Sequence, residues 1–288
     1  MTLPLLVRRL RNRLARTPLR KPFCWYRNRS WTERDVFLGE YPKSGITWLR
    51  FLLYEALTGQ PATWSEVNRV VIDRSWAAPI FPNGGRLIPT HEPWRPQYSK
   101  AIYLVRDARD VVLSEFAFEK ALGLFSGDLD AFIRAFLRGA VNSYGTWHQH
   151  VDSWLDAAQN GAAEVLLVKY DDLRRWPDAS LAHIVGFLGA EVSEASIHSA
   201  VANNTLEKMR AKEDEARRTS VRGKAPLRSM DTKSAGGNRF VREGKIGGWR
   251  DRLAPAQIAL IESRAGRTLS RLGYPLEAHA GEAPGGAR

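Results

Sequence analysis

The segment Lys43-Ser44-Gly45-Ile46-Thr47-Trp48 carries residue types that bind phosphate groups, at the junction of two predicted elements. The apolar run 36–39 before it is typical of a buried strand, and the apolar spacing of residues 49–57 after it indicates a helix. Backbone N–H groups at a helix start have no intrahelical partner and lie at the positive end of the helix dipole. A lysine and a glycine in the loop add a cation and allow close approach of the backbone. The segment therefore predicts a cradle for a phosphate.

The order of residues in this loop differs from that of a Walker A loop. In the G-x-x-x-x-G-K-[ST] pattern the lysine follows the glycine, whereas Lys43 precedes Gly45. A P-loop kinase that uses ATP and Mg²⁺ to phosphorylate a small acceptor is the alternative interpretation, although it needs the missing pattern.

Arg106 and Ser114 form a second candidate phosphate site. The apolar run 101–105 predicts a buried strand that ends at Arg106, and a helix predicted over residues 111–121 contains Ser114. A guanidinium offers a planar fork of donors to phosphate oxygens, and a hydroxyl adds a neutral donor. The alternative is that Arg106 and Asp107 only cap the helix and pair on the surface.

His91 is the candidate general base, and it lies in Thr90-His91-Glu92-Pro93 after a short predicted strand. A neutral imidazole accepts a proton near pH 7, and Glu92 is the reserve base. A lone histidine is more often structural. However, Lys43, His91 and Arg106 each follow a predicted strand, and parallel sheets bind ligands at the carboxyl ends of their strands.

A third basic segment, Arg242-Glu243-Gly244-Lys245-Ile246-Gly247-Gly248-Trp249, is rich in glycine. Together with the loop at Lys43 and the motif at Arg106, it resembles the donor-binding segments of the cytosolic-type sulfotransferases. The segment around His91 is similar to the one that holds the general base in that family. The resemblance implies transfer of a sulfuryl group from 3′-phosphoadenosine 5′-phosphosulfate (PAPS) to a hydroxyl or amine, with release of 3′-phosphoadenosine 5′-phosphate (PAP) and without a metal.

The resemblance also implies roles for individual residues. Lys43, on the bridging oxygen of the phosphosulfate, His91, as the base, and Ser114 are expected to be catalytic. The residues expected to bind PAPS are Lys43, Ser44, Gly45, Ile46, Thr47, Trp48, Arg106, Ser114, Tyr170, Arg242, Glu243 and Gly244.

Departures from the family pattern occur at Ile46, Pro89, Leu206 and Glu243. Glu243 stands in place of a lysine, and Lys245 or Arg239 is expected to compensate for the lost cation. Leu206 stands in place of an aromatic residue that stacks on adenine, so Trp48 is expected to carry more of the stacking.

Short β-branched strands that alternate with helices indicate the fold class. They predict an α/β, P-loop-like fold with a central parallel sheet flanked by helices on both faces. The remaining predicted elements are helical periodicity over 130–158, a buried strand at 165–168, helices near 180–188 and 195–202, a long loop over 219–248 and a closing helix over 255–272.

The chain of 288 residues has a formal net charge of +12 and one cysteine, Cys24. The charge predicts an anionic partner, and the single cysteine excludes an internal disulfide and indicates a reducing compartment. We expect a basic arm over residues 1–34, a sulfotransferase domain over 35–275 and a disordered tail over 276–288.

Leucines and arginines at helical spacing in residues 3–16 predict a basic amphipathic helix. We expect a cytoplasmic protein whose arm packs on the domain or frays from it. The alternatives are an arm that contacts the inner membrane face and a transit peptide. No nucleic-acid partner is expected, although a non-enzymatic basic protein that binds nucleic acid or membrane is a third interpretation of the charge. The sequence leaves the oligomeric state open.

The acceptor class is also left open among a glycan, a glycolipid and a small alcohol or phenol. Aromatic side chains suit all of these acceptors, and core packing is the alternative role for each of them. The candidates for the acceptor pocket are Trp76, Phe81, Trp94, Phe116 and Phe118.

Overall fold

The structure, a computed structural model, describes residues 30–72, 77–219 and 241–277. The helix predicted at 3–16, Trp76, Arg239 and residues 278–288 lie outside these ranges. Within the ranges, no helix is both long and apolar enough to cross a membrane.

Four parallel strands form the central sheet of the described chain, in the order β2-β1-β3-β4. They are β1 (Val36–Glu40), β2 (Leu87–Thr90), β3 (Lys100–Val105) and β4 (Glu164–Lys169). In register, Gly39 of β1 lies opposite Thr90 of β2 and Tyr103 of β3. All four carboxyl ends therefore meet at one edge, and the predicted α/β fold is confirmed.

Helices occupy the connections between the strands. Those in the described ranges are α1 (Ile46–Thr58), α2 (Trp64–Val70), α3 (Ala108–Ala121), α4 (Leu129–Leu137), α5 (Trp147–Gln159), α6 (Tyr170–Arg175), α7 (Pro177–Leu188), α8 (Glu194–Asn203), α9 (Leu206–Thr219) and α10 (Pro255–Arg271).

Both faces of the sheet are covered by apolar cores, because adjacent side chains of a strand point to opposite faces. Phe37 packs in one core with Trp154 of α5. Leu38 packs in the other core with Leu52 of α1 and Ile184 of α7. Burial on both faces explains why β1 has a continuous apolar sequence rather than an alternating one.

The predicted burial of the strand at 165–168 is wrong. β4 pairs only with β3 and forms an edge of the sheet. Leu167 is 37% exposed, and Val168 is the buried member of the strand among its described residues. The apolar run therefore marks the strand correctly but does not report its position in the sheet.

The helical periodicity over 130–158 is divided between α4 and α5 by a turn that contains Gly139 and Gly145. Both glycines adopt a left-handed conformation, with φ of 66° and 85°. A Cβ at Gly139 would lie 2.8 Å from the backbone carbon of Gly145, so the two turns of chain are in direct contact. Glycine at both positions permits this close approach.

The apolar pattern of the sequence does not predict α9. The helix is strongly charged, and its buried face consists of Met209, Glu213 and Ala216. Glu213 accepts a hydrogen bond from the backbone N–H of Val241 and pairs with Arg217 at 2.5 Å. The helix is therefore held both by Met209 and Ala216 in the apolar core and by the polar contact of Glu213 with the C-terminal segment.

We predict that Gly39→Ala destabilises the fold. The new Cβ would lie 2.7 Å from Trp154 Cζ2 and 2.9 Å from Tyr103 Cδ2, and both rings are buried. Overpacking of this kind lowers the free energy of unfolding by about 1–3 kcal/mol, which urea denaturation measures. Gly186→Ala on the exposed side of α7, where a Cβ meets nothing within 4 Å, is the control and should stabilise slightly. Equal stability of the two variants would contradict the prediction.

Candidate active site

The segments that follow the four strands form one site at the carboxyl edge of the sheet. β1 leads into the loop with Lys43, β2 into His91, β3 into Arg106, and β4 directly into Tyr170. The guanidinium of Arg106 is 3.5 Å from the carbonyl oxygen of Lys43 and lies 4.6 Å from the ring centre of Tyr170. Parallel pairing thus brings together residues that are far apart in sequence.

The loop after β1 is tightly wound around two residues with positive φ. Lys43 has a φ of 74°, and Gly45 has a φ of 111°. A Cβ at Gly45 would lie 2.7 Å from the ring of Tyr170, so only glycine fits there. Ser44 is fully buried, and its hydroxyl donates to the carbonyl of Tyr41 at 2.8 Å. The Ser44 side chain therefore shapes the loop.

The amino end of α1 already holds an anionic oxygen from the chain itself. The backbone N–H of Ile46 donates to Glu40 Oε2 at 2.8 Å, and the N–H groups of Trp48 and Leu49 turn back to the Gly45 carbonyl. Ile46 was predicted to contact the donor, but in this structure its N–H is bonded to Glu40. The side chain of Thr47 is half-buried at the same helix start.

Lys43 lies in a mixed field of charges. Burial, the largest cause, and the charge of Arg242 together lower the pKa of its ammonium to about 8, against the opposing charges of Glu40, Glu115 and Glu119. Its Nζ also lies 4.1 Å from the ring centre of Phe118. The ammonium is therefore charged at neutral pH but loses its proton more readily than an exposed lysine.

Arg106 connects the loops on both sides of the site. One guanidinium nitrogen donates to the carbonyl of Lys245 at 2.8 Å, and another approaches the carbonyl of Lys43. Asp110 lies one helical turn further, 3.7 Å from the guanidinium. Its hydrogen bonds go to neutral carbonyls and its ion pair with Asp110 is long, so the positive charge of Arg106 is only partly offset before an anion binds.

The Gly-rich segment is held against α3 by Asp110. Its carboxylate accepts the N–H groups of Gly247 at 2.9 Å and Trp249 at 3.1 Å. Gly244 adopts a φ of 60°, and its carbonyl accepts from Arg174 at 3.2 Å. These bonds place the segment over Tyr170, whose hydroxyl would lie 3.3 Å from a Cβ at Gly244.

Arg109, in contrast, is a structural residue. It is fully buried and pairs with Asp107 and Glu262, each at 2.6 Å. Its guanidinium also stacks 3.8 Å from the ring centre of Trp249. These contacts fasten the start of α3 to α10 and to the Gly-rich segment. Arg109, three residues after Arg106, therefore supports the site from within the core.

Arg242 adds a third cation to the site. Burial and the nearby charges of Arg252 and Arg106 lower its pKa, whereas Glu243 raises it. The side chain of Glu243 is exposed, and the ammonium of Lys245 pairs with Asp251 at 2.6 Å. Lys245, one of the two cations predicted to compensate for Glu243, is thus paired with an acid of the following turn.

Trp48, Tyr170 and Leu206 line the part of the site nearest to α9. The indole N–H of Trp48 donates to the carbonyl of Asn204 at 2.7 Å, and Arg174 lies 5.2 Å from the Trp48 ring centre. Leu206 lies beside Gly244, at 3.7 Å from the position of an added Cβ. Trp48 and Tyr170 supply the aromatic surface here, where Leu206 supplies an aliphatic one.

The His91 side chain is 40% exposed, and its Nδ1 lies 3.4 Å from Glu40 Oε1. Its ring is tilted against Tyr144, with 5.6 Å between ring centres. The reserve base Glu92 is buried and pairs with Arg95 at 3.0 Å. His91 is thus the more accessible of the two predicted bases.

The remaining predicted residues contribute unequally. Ser114 is half-buried on α3, and Phe118 of the same helix contacts Lys43. The other aromatic candidates within the described ranges pack against the two cores, as the core alternative predicts: Phe81, Trp94 and Phe116. The described ranges contain no group of three His, Cys, Asp or Glu side chains arranged to hold a metal ion.

Sequence reasoning missed two site residues, Glu40 and Asp110. Both are acidic residues within motifs that were interpreted through their cations. Their positions in the sequence could have identified them: Glu40 is an acid at the end of an apolar strand, and Asp110 is an acid in the first turn of a helix. Such acids are buried only if donors meet them, and here backbone N–H groups do so.

A parallel sheet with cations and a histidine along its carboxyl edge defines an α/β protein of the P-loop-like class. Residues 83–273 match the family model described as the sulfotransferase domain. This match covers more than half of the chain, so the chain belongs to the sulfotransferase domain family. Its enzyme class is therefore that of the sulfotransferases.

Known relatives are similar over most of the chain. Human sulfotransferase 2B1 is 28% identical over 239 residues, which cover 77% of this chain and 62% of that relative, less than two thirds of its length. Rat sulfotransferase 1A1 is 28% identical over 257 residues, which cover 82% of this chain and 84% of that relative. A retinol dehydratase, solved in a complex with retinol and PAP, shares the fold with a TM-score of 0.66, at 20% identity and 86% coverage of each chain.

We predict that the affinity of the protein for PAP falls as the pH rises through about 8. A lysine with a lowered pKa is charged below that pKa and neutral above it, and only the charged form attracts phosphate. Between pH 8 and 9 the dissociation constant should rise by up to roughly tenfold, as calorimetric titration measures. Lys43→Arg, which stays charged, should show a shallower dependence, to which only the ionisation of Glu40 near pH 8 contributes. Parallel curves for the two proteins would contradict the assignment.

Proposed function

We propose that this protein transfers a sulfuryl group from PAPS to a hydroxyl-bearing acceptor, with His91 as the general base. The observation that carries the proposal is the convergence of Lys43, Arg106 and Arg242 at the edge where His91 follows β2. Membership of the sulfotransferase domain family supports the reaction class. The structural neighbours support the donor, since one was solved in a complex with retinol and PAP.

The side chains of the site fit a polyanionic nucleotide. The charge of Arg242 lowers the pKa of Lys43, and an anion between such cations relieves their repulsion. Arg106, Arg242 and the backbone of Gly244 would hold the 3′-phosphate, with Ser114 as a neutral donor. Lys43, Gly45 and Thr47 would hold the 5′-phosphosulfate. Trp48 and Tyr170 would contact the adenine.

Bound PAPS would supply the sulfuryl group, and PAP would be released after the transfer. The ammonium of Lys43 would stabilise the negative charge that develops on the bridging oxygen, and a preorganised donor of this kind contributes about 10²–10³ in rate. His91 would remove the proton from the acceptor hydroxyl as the new oxygen–sulfur bond forms. Its partial exposure gives the acceptor access to the imidazole.

The kinase alternative is not favoured. The family match points to sulfuryl transfer, and the loop at Lys43 lacks the Walker A order of residues. The relatives are likewise named sulfotransferases.

The acceptor is proposed to be a small alcohol. Structural neighbours were solved in complexes with androsterone and with retinol, both of which carry a hydroxyl group. Phe118 and Tyr144, which contact Lys43 and His91, provide apolar surface next to the base. Aromatic faces of this kind suit the ring or chain of such an alcohol.

The donor assignment is tested by calorimetric titration with PAP, compared with ATP plus Mg²⁺. We expect PAP to bind with a dissociation constant on the order of micromolar, and Arg106→Ala to weaken it at least about tenfold, because a charged hydrogen-bond donor is lost. Arg69→Ala on α2, where the side chain is 64% exposed, is the control and should bind as wild type does. Binding of ATP–Mg²⁺ without PAP would favour the kinase instead.

The base assignment is tested by turnover of PAPS with retinol, androsterone and 4-nitrophenol as probe acceptors. His91→Asn should lower kcat by about 10²–10⁴-fold and leave PAP affinity unchanged, because it removes proton transfer but not the donor site. His198→Asn on the distant helix α8, with a side chain that is 79% exposed, is the matched control. Wild-type kcat in His91→Asn would exclude His91 as the base.

A further inference from the structure

Glu40, the last residue of β1, lies between the start of α1 and His91. The residue is only 2% exposed. One carboxylate oxygen, Oε2, accepts the Ile46 N–H at 2.8 Å, and the other, Oε1, lies 3.4 Å from His91 Nδ1. A single buried carboxylate therefore faces both the helix dipole and the imidazole.

Burial, backbone donors and nearby charges all act on the Glu40 carboxyl group. Burial raises the pKa of its carboxyl group to about 8, whereas the N–H groups of Ile46 and Gly45 and the charges of Lys43 and Arg50 lower it. Tyr103 of β3 also faces the carboxylate. The carboxyl of Glu40 is therefore ionised above a pH of about 8, where its carboxylate accepts the Nδ1–H of His91.

The backbone of His91 is fixed from the opposite side by α5. His150 is buried, and its Nε2 lies 3.0 Å from the His91 carbonyl, while its Nδ1 lies 2.9 Å from the hydroxyl of Tyr103. Burial lowers the pKa of His150 to about 4, so its ring is neutral. The carbonyl can only accept, so Nε2 of His150 donates to it and the Tyr103 hydroxyl donates to Nδ1.

We propose that Glu40 is the positioning residue for His91, accepting its Nδ1–H and so leaving the Nε2 lone pair to face the acceptor hydroxyl. This inference rests on the proposed role of His91 as general base. An imidazole has one lone pair in its neutral form, and the partner at one nitrogen decides which nitrogen carries it.

The proton balance follows from this arrangement. Nε2 of His91 takes the acceptor proton, the acceptor oxygen bonds to sulfur, and the imidazolium then donates from both nitrogens. The carboxylate of Glu40 stabilises the imidazolium and does not itself take the proton, as in other carboxylate–histidine pairs. Glu92 does not replace it, because its carboxylate pairs with Arg95.

The first test is the His91 tautomer, measured by ¹⁵N NMR on histidine-labelled protein and assigned with His91→Asn. Above a pH of about 8, where Glu40 is ionised, we expect the wild-type proton on Nδ1. Glu40→Gln should shift the population toward the Nε2–H form, because a carboxylate acceptor is lost. Asp35→Asn removes another buried carboxylate, from the residue just before the opposite end of β1, and should leave the His91 signals unchanged. Unchanged His91 signals in Glu40→Gln would overturn the proposal.

The second test separates kcat from donor binding. Glu40→Gln should lower kcat at least about tenfold, with PAP affinity equal to or tighter than that of wild type, because a negative charge leaves the donor cradle. Glu40→Asp keeps the carboxylate and should recover part of kcat. A structural role would instead weaken PAP binding and kcat together, in both variants.

A double-mutant cycle links the effect to the imidazole. If Glu40 acts through His91, then Glu40→Gln has no further effect on kcat in the His91→Asn background. An additive loss would overturn the proposal. Failure of the proposed function can be distinguished from failure of this inference. In that case the wild-type protein would not bind PAP, or His91→Asn would keep the kcat of the wild type.

Discussion

Electrostatic repulsion among Lys43, Arg106 and Arg242 is the constraint on which the site depends. Like charges in a partly buried cleft move apart unless the surrounding chain holds them. Here the backbone does so: Arg106 donates to carbonyls on two loops, and Asp110 binds two N–H groups of the Gly-rich segment. The folded state thus maintains a positive potential before any ligand arrives, and a polyanion gains from relieving it.

Two acidic residues lie within this cationic site because backbone N–H groups bind their carboxylates. Glu40 and Asp110 bond to backbone N–H groups rather than to the site's cations at hydrogen-bond distance. They therefore orient segments of chain while only partly offsetting the guanidinium and ammonium charges. Arg109 plays the corresponding role behind the site, since its charge is matched by Asp107 and Glu262 inside the core.

The sequence predicts the parts of this structure that local pattern determines. The strands that precede Lys43, His91 and Arg106 have clear apolar runs, and parallel pairing then places their ends together. The position of β4 at the sheet edge follows from tertiary order, which an apolar run does not encode. The hydrogen bond from Ile46 to Glu40 depends on the loop's backbone conformation, and α9 is held in part by polar contacts that have no helical apolar period.

The left-handed backbone conformation of Lys43 makes stability and catalytic activity favour different residues at position 43. A non-glycine residue at a φ of 74° carries roughly 1 kcal/mol of steric strain that glycine or asparagine would release. Populations of this chain selected only for solubility and heat resistance should therefore lose the lysine early. Populations selected for enzymatic activity should keep Lys43 and accumulate stabilising substitutions at other positions. The residue found at position 43 should therefore indicate whether stability or activity was selected.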